Sequence, residues 1–299
     1  MDKGEIANWF QALQDRICKG LEYADGKAIF KEDKWEREGG GGGRTRVIQN
    51  GNIFEKGGVN FSAVHGILEG AAAVAILQSK TAQPFFASGV SIVIHPRSPM
   101  VPIIHMNVRY FEAGNQQWFG GGIDLTPIYI VEGDARYFHI ELKKVCDLFS
   151  PYYYPDFKKW ADDYFYIKHR NETRGIGGIF FDKLVQNETT SIENIFEFVK
   201  AVGNIFLPIY SNIVRINKDK KFTEKEKDWQ LLRRGRYVEF NLVNDSGTKF
   251  GLETNGRTES ILMSLPPQAS WAYDFIPENK SEEEKTLAFL KKGIDWKNK

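Results

Sequence analysis

Residues His95–Asp124 read HPRSPMVPIIHMNVRYFEAGNQQWFGGGID, and the prediction of the fold starts from this stretch. Within it, Ile103–Glu112 alternates apolar and polar residues, which is the pattern of a half-buried strand. Alternate side chains of a strand share a face, so His105, Asn107 and Arg109 are expected side by side. A proton-transfer group, an amide and a carboxylate binder are not needed for packing. The set favours an enzyme that acts on a carboxylate-bearing substrate.

The rest of the chain divides into strands, then helices, then strands. Further candidate strands are Thr45–Gln49, Val59–His65, Phe86–His95, Trp118–Leu125, Tyr237–Val243 and Lys249–Glu253, the last two joined by a turn at residues 245–247. Helical periodicity is found at Ala7–Tyr23, Leu68–Leu77, Ala135–Phe149, Pro155–Arg170, Asn194–Ile216, Glu224–Arg234 and Thr258–Leu265. Short connections between the early strands favour antiparallel pairing. The order predicts an α+β fold, with one antiparallel sheet covered by helices.

Composition limits the functional classes. The 299 residues are 42% hydrophobic, with a formal net charge of +1, so no overall field favours nucleic acid or an anionic membrane. Two cysteines, Cys18 and Cys146, form no zinc spacing or disulfide framework and favour a reducing compartment. The longest apolar run, Gly70–Leu77, is too short to span a bilayer, and the N-terminus resembles neither a signal nor a transit peptide. We expect a soluble cytoplasmic protein.

Two glycine-rich segments are unusual. The five glycines of Gly39–Gly43 predict a flexible loop, or alternatively a mobile lid or an anion nest. Gly120–Gly122 interrupts a strand pattern, which indicates a bulge or the close approach of a flat ligand. Asp124 follows, either as a turn residue or as a carboxylate facing an N–H group of the ligand.

The candidate anion binders and metal ligands each have a plainer alternative. Arg109 is either a carboxylate-binding fork or half of an internal salt bridge, and Arg257 is either a second fork or a solvated turn residue. Arg174 lies in a predicted turn with glycines. The five histidines have no compact metal spacing, although four of them could still meet in space.

Long motifs carry a resemblance to a known family. The segments EKGGVNFSAVHG, HPRSPMVPIIHMNVRYFE, WFGGGIDLTPIY, RNETRGIGGIFFD and GRYVEFNLVNDSGTKFGLETNGRTESILMSLPP resemble oxygen-dependent coproporphyrinogen III oxidase, from about Trp35 to Trp271. The resemblance implies oxidative decarboxylation of two propionates of coproporphyrinogen III to vinyls, giving protoporphyrinogen IX in haem biosynthesis. It also implies a large flat antiparallel sheet flanked by helices on both faces, and a homodimer formed through residues 237–271.

The resemblance also implies roles for individual residues. His105 matches a proton donor, and Asp124 a carboxylate that faces the pyrrole N–H groups. The residues matching substrate contacts are Ser91, Asn107, Arg109, Gly256 and Arg257, with Arg174 matching an arginine that holds a propionate. Those matching divalent-metal ligands of bacterial members are His95, His105, His139 and His169. The chain departs from the pattern at Asn255, where relatives can carry glycine or a longer turn.

These considerations predict a single domain over residues 1–299, with a helical extension at 1–34 and a charged C-terminal helix at 277–299. Molecular oxygen is the expected co-substrate, and no redox cofactor is required because the reduced ring supplies the electrons. The alternative left open is that the reaction needs a divalent metal, and we favour a reaction without one. Two other classes remain as alternatives: a porphyrin carrier without catalysis, and a histidine-metal hydrolase.

Overall fold

The computed structural model describes residues 1–78, 80–253 and 256–299. Seven strands form one antiparallel sheet in the order β1-β2-β3-β4-β5-β6-β9. The strands are β1 (Lys31–Glu36), β2 (Gly41–Gln49), β3 (Phe54–Leu68), β4 (Gln83–Pro96), β5 (Ile103–Ala113), β6 (Gln116–Thr126) and β9 (Gly178–Leu184), while β7 (Tyr166–Ile167) and β8 (Glu172–Thr173) form a separate pair. This arrangement confirms the predicted α+β class and the antiparallel pairing.

Nine α-helices accompany the sheet in the described part of the chain. They are α1 (Lys3–Asp25), α2 (Gly70–Leu77), α3 (Glu132–Asp147), α4 (Tyr153–Tyr164), α5 (Ile192–Asn217), α6 (Glu224–Glu239), α7 (Ser246–Glu253), α8 (Thr258–Leu262) and α9 (Glu282–Phe289). A five-residue π-helix, Phe240–Asn244, continues α6. Within the described ranges, no helix is both long and apolar enough to cross a membrane.

One face of the sheet carries the main core. Met106 and Val108 of β5 pack there with Phe119 of β6, under α1 and α5. Aromatic rings extend the contact, since Phe119 stacks on Phe196 of α5 with centroids 5.2 Å apart. Burial of this continuous apolar layer is the main force that fixes the register of the central strands.

The opposite face carries the polar side chains, and we call it the site face. Separate elements cover its margins: α2 packs near Trp118, α6 near Val93 and Ile103, and α8 near Thr45 and Asn60. His105, Asn107 and Arg109 alternate with buried apolar residues along β5 and remain partly exposed on this face. The strand pattern of the sequence therefore placed them correctly together.

The predicted glycine-rich loop is wrong. Gly41–Gly43 lies inside β2, where all three glycines pair with β3 and Gly42 and Gly43 also pair with β1. Only Gly39 and Gly40 lie in the turn after β1. The turn needs glycine because Gly40 and Gly41 have φ values of 109° and 80°. At Gly43 the indole ring of Trp35 occupies the place of a side chain. A paired strand replaces the expected lid or nest.

The predicted strands at Tyr237–Val243 and Lys249–Glu253 are also wrong. These residues form the end of α6, the π-helix and α7. Tyr237 and Phe240 both place their rings against the guanidinium of Arg174. Residues three apart share a face in a helix and lie on opposite faces of a strand. This contact with Arg174 therefore suits the helix, in spite of a β-prone composition.

The two chain ends differ in part from expectation. Residues 31–34 belong to β1 rather than to a helical extension. The C-terminal tail is helical only at Glu282–Phe289 in α9 and at a 3₁₀ turn, Trp296–Asn298. Trp296 is buried and lies near His139, because its large apolar ring belongs to the core. The tail is therefore not one charged surface helix.

Candidate active site

A row of aligned residues crosses the site face and forms its floor. The pairing register joins Asp33, Thr45, Asn60, Ser91, Asn107 and Gly122 in that order, one from each of six neighbouring strands. Adjacent strands lie about 4.8 Å apart, so the first five positions span about 19 Å. Ser91 and Asn107 remain partly exposed near the middle of this row. Thr45 is buried against Ser260 of α8, so the partly exposed stretch of the floor runs from Asn60 to Asn107.

His105 and Asp124 form a hydrogen-bonded pair between β5 and β6. They are register partners, and His105 Nδ1 lies 2.8 Å from Asp124 Oδ1. Since an ionised carboxylate only accepts, Nδ1 carries the proton of this bond. Nε2 of His105 has no hydrogen-bond partner among the described residues, and the side chain is 19% exposed. The pair leaves one ring nitrogen of His105 free on the site face.

Arg174 binds the carboxylate of Asp124, the partner of His105. Its Nη2 donates to Asp124 Oδ1 and Oδ2 at 2.7 and 2.8 Å, and both side chains are nearly inaccessible to solvent. Three rings surround the guanidinium, with centroids at 4.4 Å for Phe165 and 4.6 Å for both Tyr237 and Phe240. Aromatic faces attract a cation and exclude water. Arg174 is thus fixed as the internal counter-ion of Asp124.

These contacts keep Asp124 ionised. Burial alone raises the pKa of its carboxyl, but the positive charge of Arg174 and the hydrogen bonds from Arg174 and His105 outweigh burial and hold that pKa below its usual value. The expectations from the resemblance need correction here. The buried Asp124 carboxylate contacts His105 and Arg174 instead of an exposed surface, and Arg174 holds an internal carboxylate instead of a propionate.

Arg109 lies on the floor with a carboxylate partner of its own. Nη2 is 2.9 Å from Asp182 Oδ1, and Nη1 donates to Asn107 Oδ1 at 3.0 Å. The two side chains of the ion pair are 36% and 32% exposed. The sequence left two alternatives for Arg109, a salt bridge or a site for a ligand carboxylate. Arg109 forms the salt bridge, and its partial exposure also leaves it accessible to a ligand.

The triple glycine makes room for protein side chains. A Cβ at Gly120 would lie 2.5 Å from Asp182 Oδ1 and 2.9 Å from Arg109 Nε. One at Gly121 would lie 2.9 Å from the ring of Phe181, and one at Gly122 3.1 Å from the ring of Phe180. A register shift between Phe119 and Gly121 confirms the expected bulge. Close approach by β9 accounts for the glycines without a ligand above them.

Arg257 lies at the other end of the floor. Its guanidinium pairs with Asp33 and donates to Ser260 Oγ at 3.1 Å. Ser260 in turn contacts Thr45 and Asn60 of the aligned row. Gly256 begins the described segment here and its N–H donates to Gly251 O at 2.7 Å. Asn255 lies outside the described residues.

The four histidines do not meet as a metal site. His139 is buried, with Nδ1 2.9 Å from Tyr154 Oη and Nε2 3.0 Å from Ile176 O, so both nitrogens are engaged. His95 Nε2 faces Ser264 O at 2.8 Å, and His169 Nε2 faces Glu239 at 2.8 Å on the surface. Among the residues described here, no group of three or more histidine, cysteine or acidic side chains is placed to hold a metal. The donors do not fit the implied ligand set, which corrects it.

Several site residues were missed in the sequence. Asp182 follows Gly178 and Phe180 at alternate positions of β9, a signal that would have placed it on the site face. Phe165, Tyr237 and Phe240 had no such signal, because no spacing in the sequence connects their rings with the guanidinium of Arg174. Asp33 was missed because β1 was not recognised as a strand.

The fold and the site together define an α+β protein with a histidine–carboxylate pair and arginines on one partly exposed face of the sheet. Comparisons with known proteins give the family. A family model described as coproporphyrinogen III oxidase matches residues 5–296. This chain belongs to the coproporphyrinogen III oxidase family.

Individual relatives agree over nearly the whole chain. "Oxygen-dependent coproporphyrinogen-III oxidase" of Prochlorococcus marinus (strain NATL2A) is 48% identical, with 95% of this chain and 88% of the relative aligned. "Coproporphyrinogen-III oxidase 1, chloroplastic" of Arabidopsis thaliana is 52% identical, with 98% and 79% aligned. The Drosophila melanogaster protein named oxygen-dependent coproporphyrinogen-III oxidase is 52% identical, with 95% and 75% aligned.

Proposed function

We propose that this chain catalyses the oxygen-dependent oxidative decarboxylation of two propionates of coproporphyrinogen III to vinyls, giving protoporphyrinogen IX in haem biosynthesis. Family membership supports the reaction class. One structural observation carries the assignment to this site: the His105–Asp124–Arg174 chain ends in a free Nε2 beside the arginine-bearing floor. The carrier alternative does not explain why a buried ion pair holds a histidine in one orientation.

The proposed reaction balances with oxygen as the oxidant. For each propionate, the β-carbon loses a proton together with two electrons, which is the equivalent of a hydride. The bond to the carboxylate breaks to release carbon dioxide, and its electron pair forms the double bond of the vinyl group. Oxygen takes that proton and the two electrons, together with one further proton, to become hydrogen peroxide. The reduced macrocycle activates its own side chain, so we propose that no redox cofactor takes part.

His105 is the proposed source of the further proton. Its Nδ1–H is held by Asp124, which leaves Nε2 as the nitrogen that exchanges a proton with the oxygen-derived group. Asp124 is then a positioning residue: it fixes the ring and stabilises the charged imidazolium. The buried Arg174 fixes Asp124 in turn. This order replaces direct contact between Asp124 and the pyrrole N–H groups.

Substrate binding is proposed for the floor and its two ends. Arg109 and Arg257 bind propionates through charge-assisted hydrogen bonds, and Ser91 and Asn107 contact the ring between them. The backbone N–H of Gly256 is already donated to Gly251 O, so Gly256 contributes through its place in the turn beside Arg257. The separation of the two arginines would set which propionate reaches His105.

The homodimer remains part of the proposal and commits to a second copy of this chain. Leu242, Val243 and Trp271 are each 44–54% exposed, around the end of α6. Trp271 is fixed there by a 2.9 Å hydrogen bond from its indole N–H to Glu239. Exposed large apolar side chains of this kind are typical of interfaces. Leu242→Glu should shift sedimentation towards the monomer, whereas Leu148→Glu, also at an exposed leucine, should not.

A cytoplasmic location is also proposed. The two cysteines are free and buried, which suits a reducing compartment. Fractionation of cells that express the tagged chain tests this proposal, and recovery with a membrane or organelle fraction would contradict it.

The decisive experiment is a turnover assay with chelator. The purified, metal-stripped protein receives coproporphyrinogen III in air or under argon, and the products are oxidised to porphyrins and separated by chromatography. We expect protoporphyrin in air with chelator present, and none under argon. Conversion that needs an added divalent ion would contradict the metal-free version. Tight binding without conversion in any condition would favour the carrier.

A further inference from the structure

Each of the two arginines on the floor is already paired with a carboxylate of the protein. Arg109 is held by Asp182 and Arg257 by Asp33. All four side chains are between 32% and 53% exposed, so water reaches both pairs. The contrast is Arg174 with Asp124, where both partners are buried.

The position of Asp182 depends on specific features of β9 and β6. Its Oδ1 lies over Gly120, where a Cβ would come within 2.5 Å. The same oxygen accepts a 2.9 Å hydrogen bond from the N–H of Lys183, a residue with φ of 48°. The backbone thus presents the Asp182 carboxylate at the guanidinium of Arg109.

Partial exposure makes such a pair exchangeable. An ion pair in contact with water is weak, because solvent screens the charges and hydrates each partner after separation. A buried pair cannot separate without leaving an unpaired charge in a low-dielectric interior. Asp182 can therefore turn towards water when another carboxylate arrives, whereas Asp124 cannot leave Arg174.

We propose that Asp182 is a resident carboxylate that occupies the propionate position on Arg109 in the free enzyme and yields it to the substrate. The inference rests on the proposed function, in which Arg109 binds a propionate. Asp182 lowers the affinity for every carboxylate ligand, and it recaptures Arg109 when a propionate becomes a vinyl. Because displacing Asp182 costs every carboxylate ligand the same free energy, Asp182 sets how tightly Arg109 holds a carboxylate and does not by itself choose between carboxylates.

The expected effect follows from the weakness of the pair. Removing a competitor that is worth no more than an exposed ion pair should tighten binding by about two- to fivefold. Asp182→Asn is the suitable variant, because the amide oxygen can still accept from the N–H of Lys183. The matched control is Asp163→Asn, which removes a carboxylate paired with Lys159 and Lys292 away from the floor.

The test uses coproporphyrin III, the oxidised tetracarboxylate, as a fluorescent probe that is not turned over. Titration should give a two- to fivefold lower Kd for Asp182→Asn and an unchanged Kd for Asp163→Asn. The KM for coproporphyrinogen III should fall with the Kd in the same variant. An unchanged or weaker affinity in Asp182→Asn would overturn the proposal, because a purely structural aspartate gives no gain in binding.

Arg109→Gln separates failure of this proposal from failure of the proposed function. If Arg109→Gln weakens probe binding while Asp182→Asn does not tighten it, Arg109 binds carboxylates and only the resident-carboxylate proposal fails. If Arg109→Gln binds the probe as well as the unaltered protein, the role of Arg109 itself fails, and both proposals with it.

Asp33→Asn gives a parallel test at the other end of the floor. Asp33 and Asp182 lie on opposite edge strands of the sheet, so their effects should be independent and the Asp33→Asn/Asp182→Asn double variant should show the product of the two gains. If Asp33→Asn tightened binding of the probe and Asp182→Asn did not, the resident carboxylate would be Asp33 on Arg257, and the assignment to Asp182 would be overturned.

Discussion

Arg174 holds both carboxylate oxygens of Asp124 through one nitrogen, at 2.7 and 2.8 Å, where neither side chain reaches solvent. The relationship unites the fold and the site. Arg174 comes from the segment before β9 and Asp124 from β6. The rings around the guanidinium come from Phe165 just after α4, and from Tyr237 and Phe240 at the junction of α6 and the π-helix. The geometry of His105 therefore depends on the correct packing of four separate parts of the chain.

Removing Arg174 should destabilise the protein strongly. Arg174→Met leaves Asp124 as a buried charge, and the free energy of unfolding should fall by about 3–5 kcal/mol at pH 7. Arg170→Met, at a partly exposed arginine that pairs with Glu239, should cost less than about 1 kcal/mol. Urea unfolding followed by circular dichroism measures both. If Arg174→Met lowered the free energy of unfolding as little as the control does, the hydrogen bond from His105 alone would be enough to stabilise the buried Asp124 carboxylate.

Stability should fall on acidification because of buried histidines. Burial lowers the pKa of His139 to about 3, while the unfolded chain titrates near 6.5. Between these values the unfolded state binds a proton that the folded state does not. The contribution of neutral His139 to the free energy of unfolding is therefore fully present above about pH 6.5. It falls by up to about 1.4 kcal/mol per pH unit below that pH.

His139→Gln should remove this contribution. The variant is less stable at pH 7, but its difference from the unaltered protein should shrink as the pH is lowered towards 5. About half of the slope should persist, since burial also lowers the pKa of His95 to about 3. Phe138→Leu is the control, because it weakens the same helix without removing a titrating group. Parallel urea midpoints for the His139→Gln and unaltered proteins across this range would rule out the role of His139.

Asp124→Asn should separate positioning from binding. The amide oxygen can still accept from Nδ1, but the stabilising charge is lost, so kcat should fall by about 10²- to 10⁴-fold. The KM should change little, because Asp124 is 1% exposed and does not line the floor. Steady-state kinetics at a temperature where the variant is folded measure both. A large rise in KM with a modest change in kcat would instead favour direct contact with the pyrrole N–H groups.

The sequence predicted the central sheet well because one of its faces is buried. Alternation along β5 places His105, Asn107 and Arg109 together whatever the rest of the chain does. The partner of each side chain depends on long-range packing, so the pairs Arg174–Asp124 and Arg109–Asp182 were not predictable from spacing. The strand predicted at Tyr237–Val243 is wrong because long-range packing also decides there. The composition of these residues favours a strand, while their contact with Arg174 suits a helix.

Gly120→Ala should disturb both the fold and the floor. The added methyl group would meet Asp182 Oδ1 at 2.5 Å and Arg109 Nε at 2.9 Å, so the ion pair must move. Overpacking of this kind costs about 1–3 kcal/mol, and the displaced Arg109 should raise the KM several-fold.

The matched control for Gly120→Ala is Gly133→Ala, in the first turn of α3. Nothing lies within 4 Å of the added methyl group there, and alanine should stabilise the helix by about 0.5–1 kcal/mol without changing KM. In thermal unfolding, Gly120→Ala should therefore be less stable and Gly133→Ala more stable than the unaltered protein. In substrate titration, only Gly120→Ala should lose affinity. If Gly120→Ala kept the stability and KM of the unaltered protein, the Arg109–Asp182 pair could not lie across Gly120. The triple glycine would then be explained by the contacts of Phe180 and Phe181 alone.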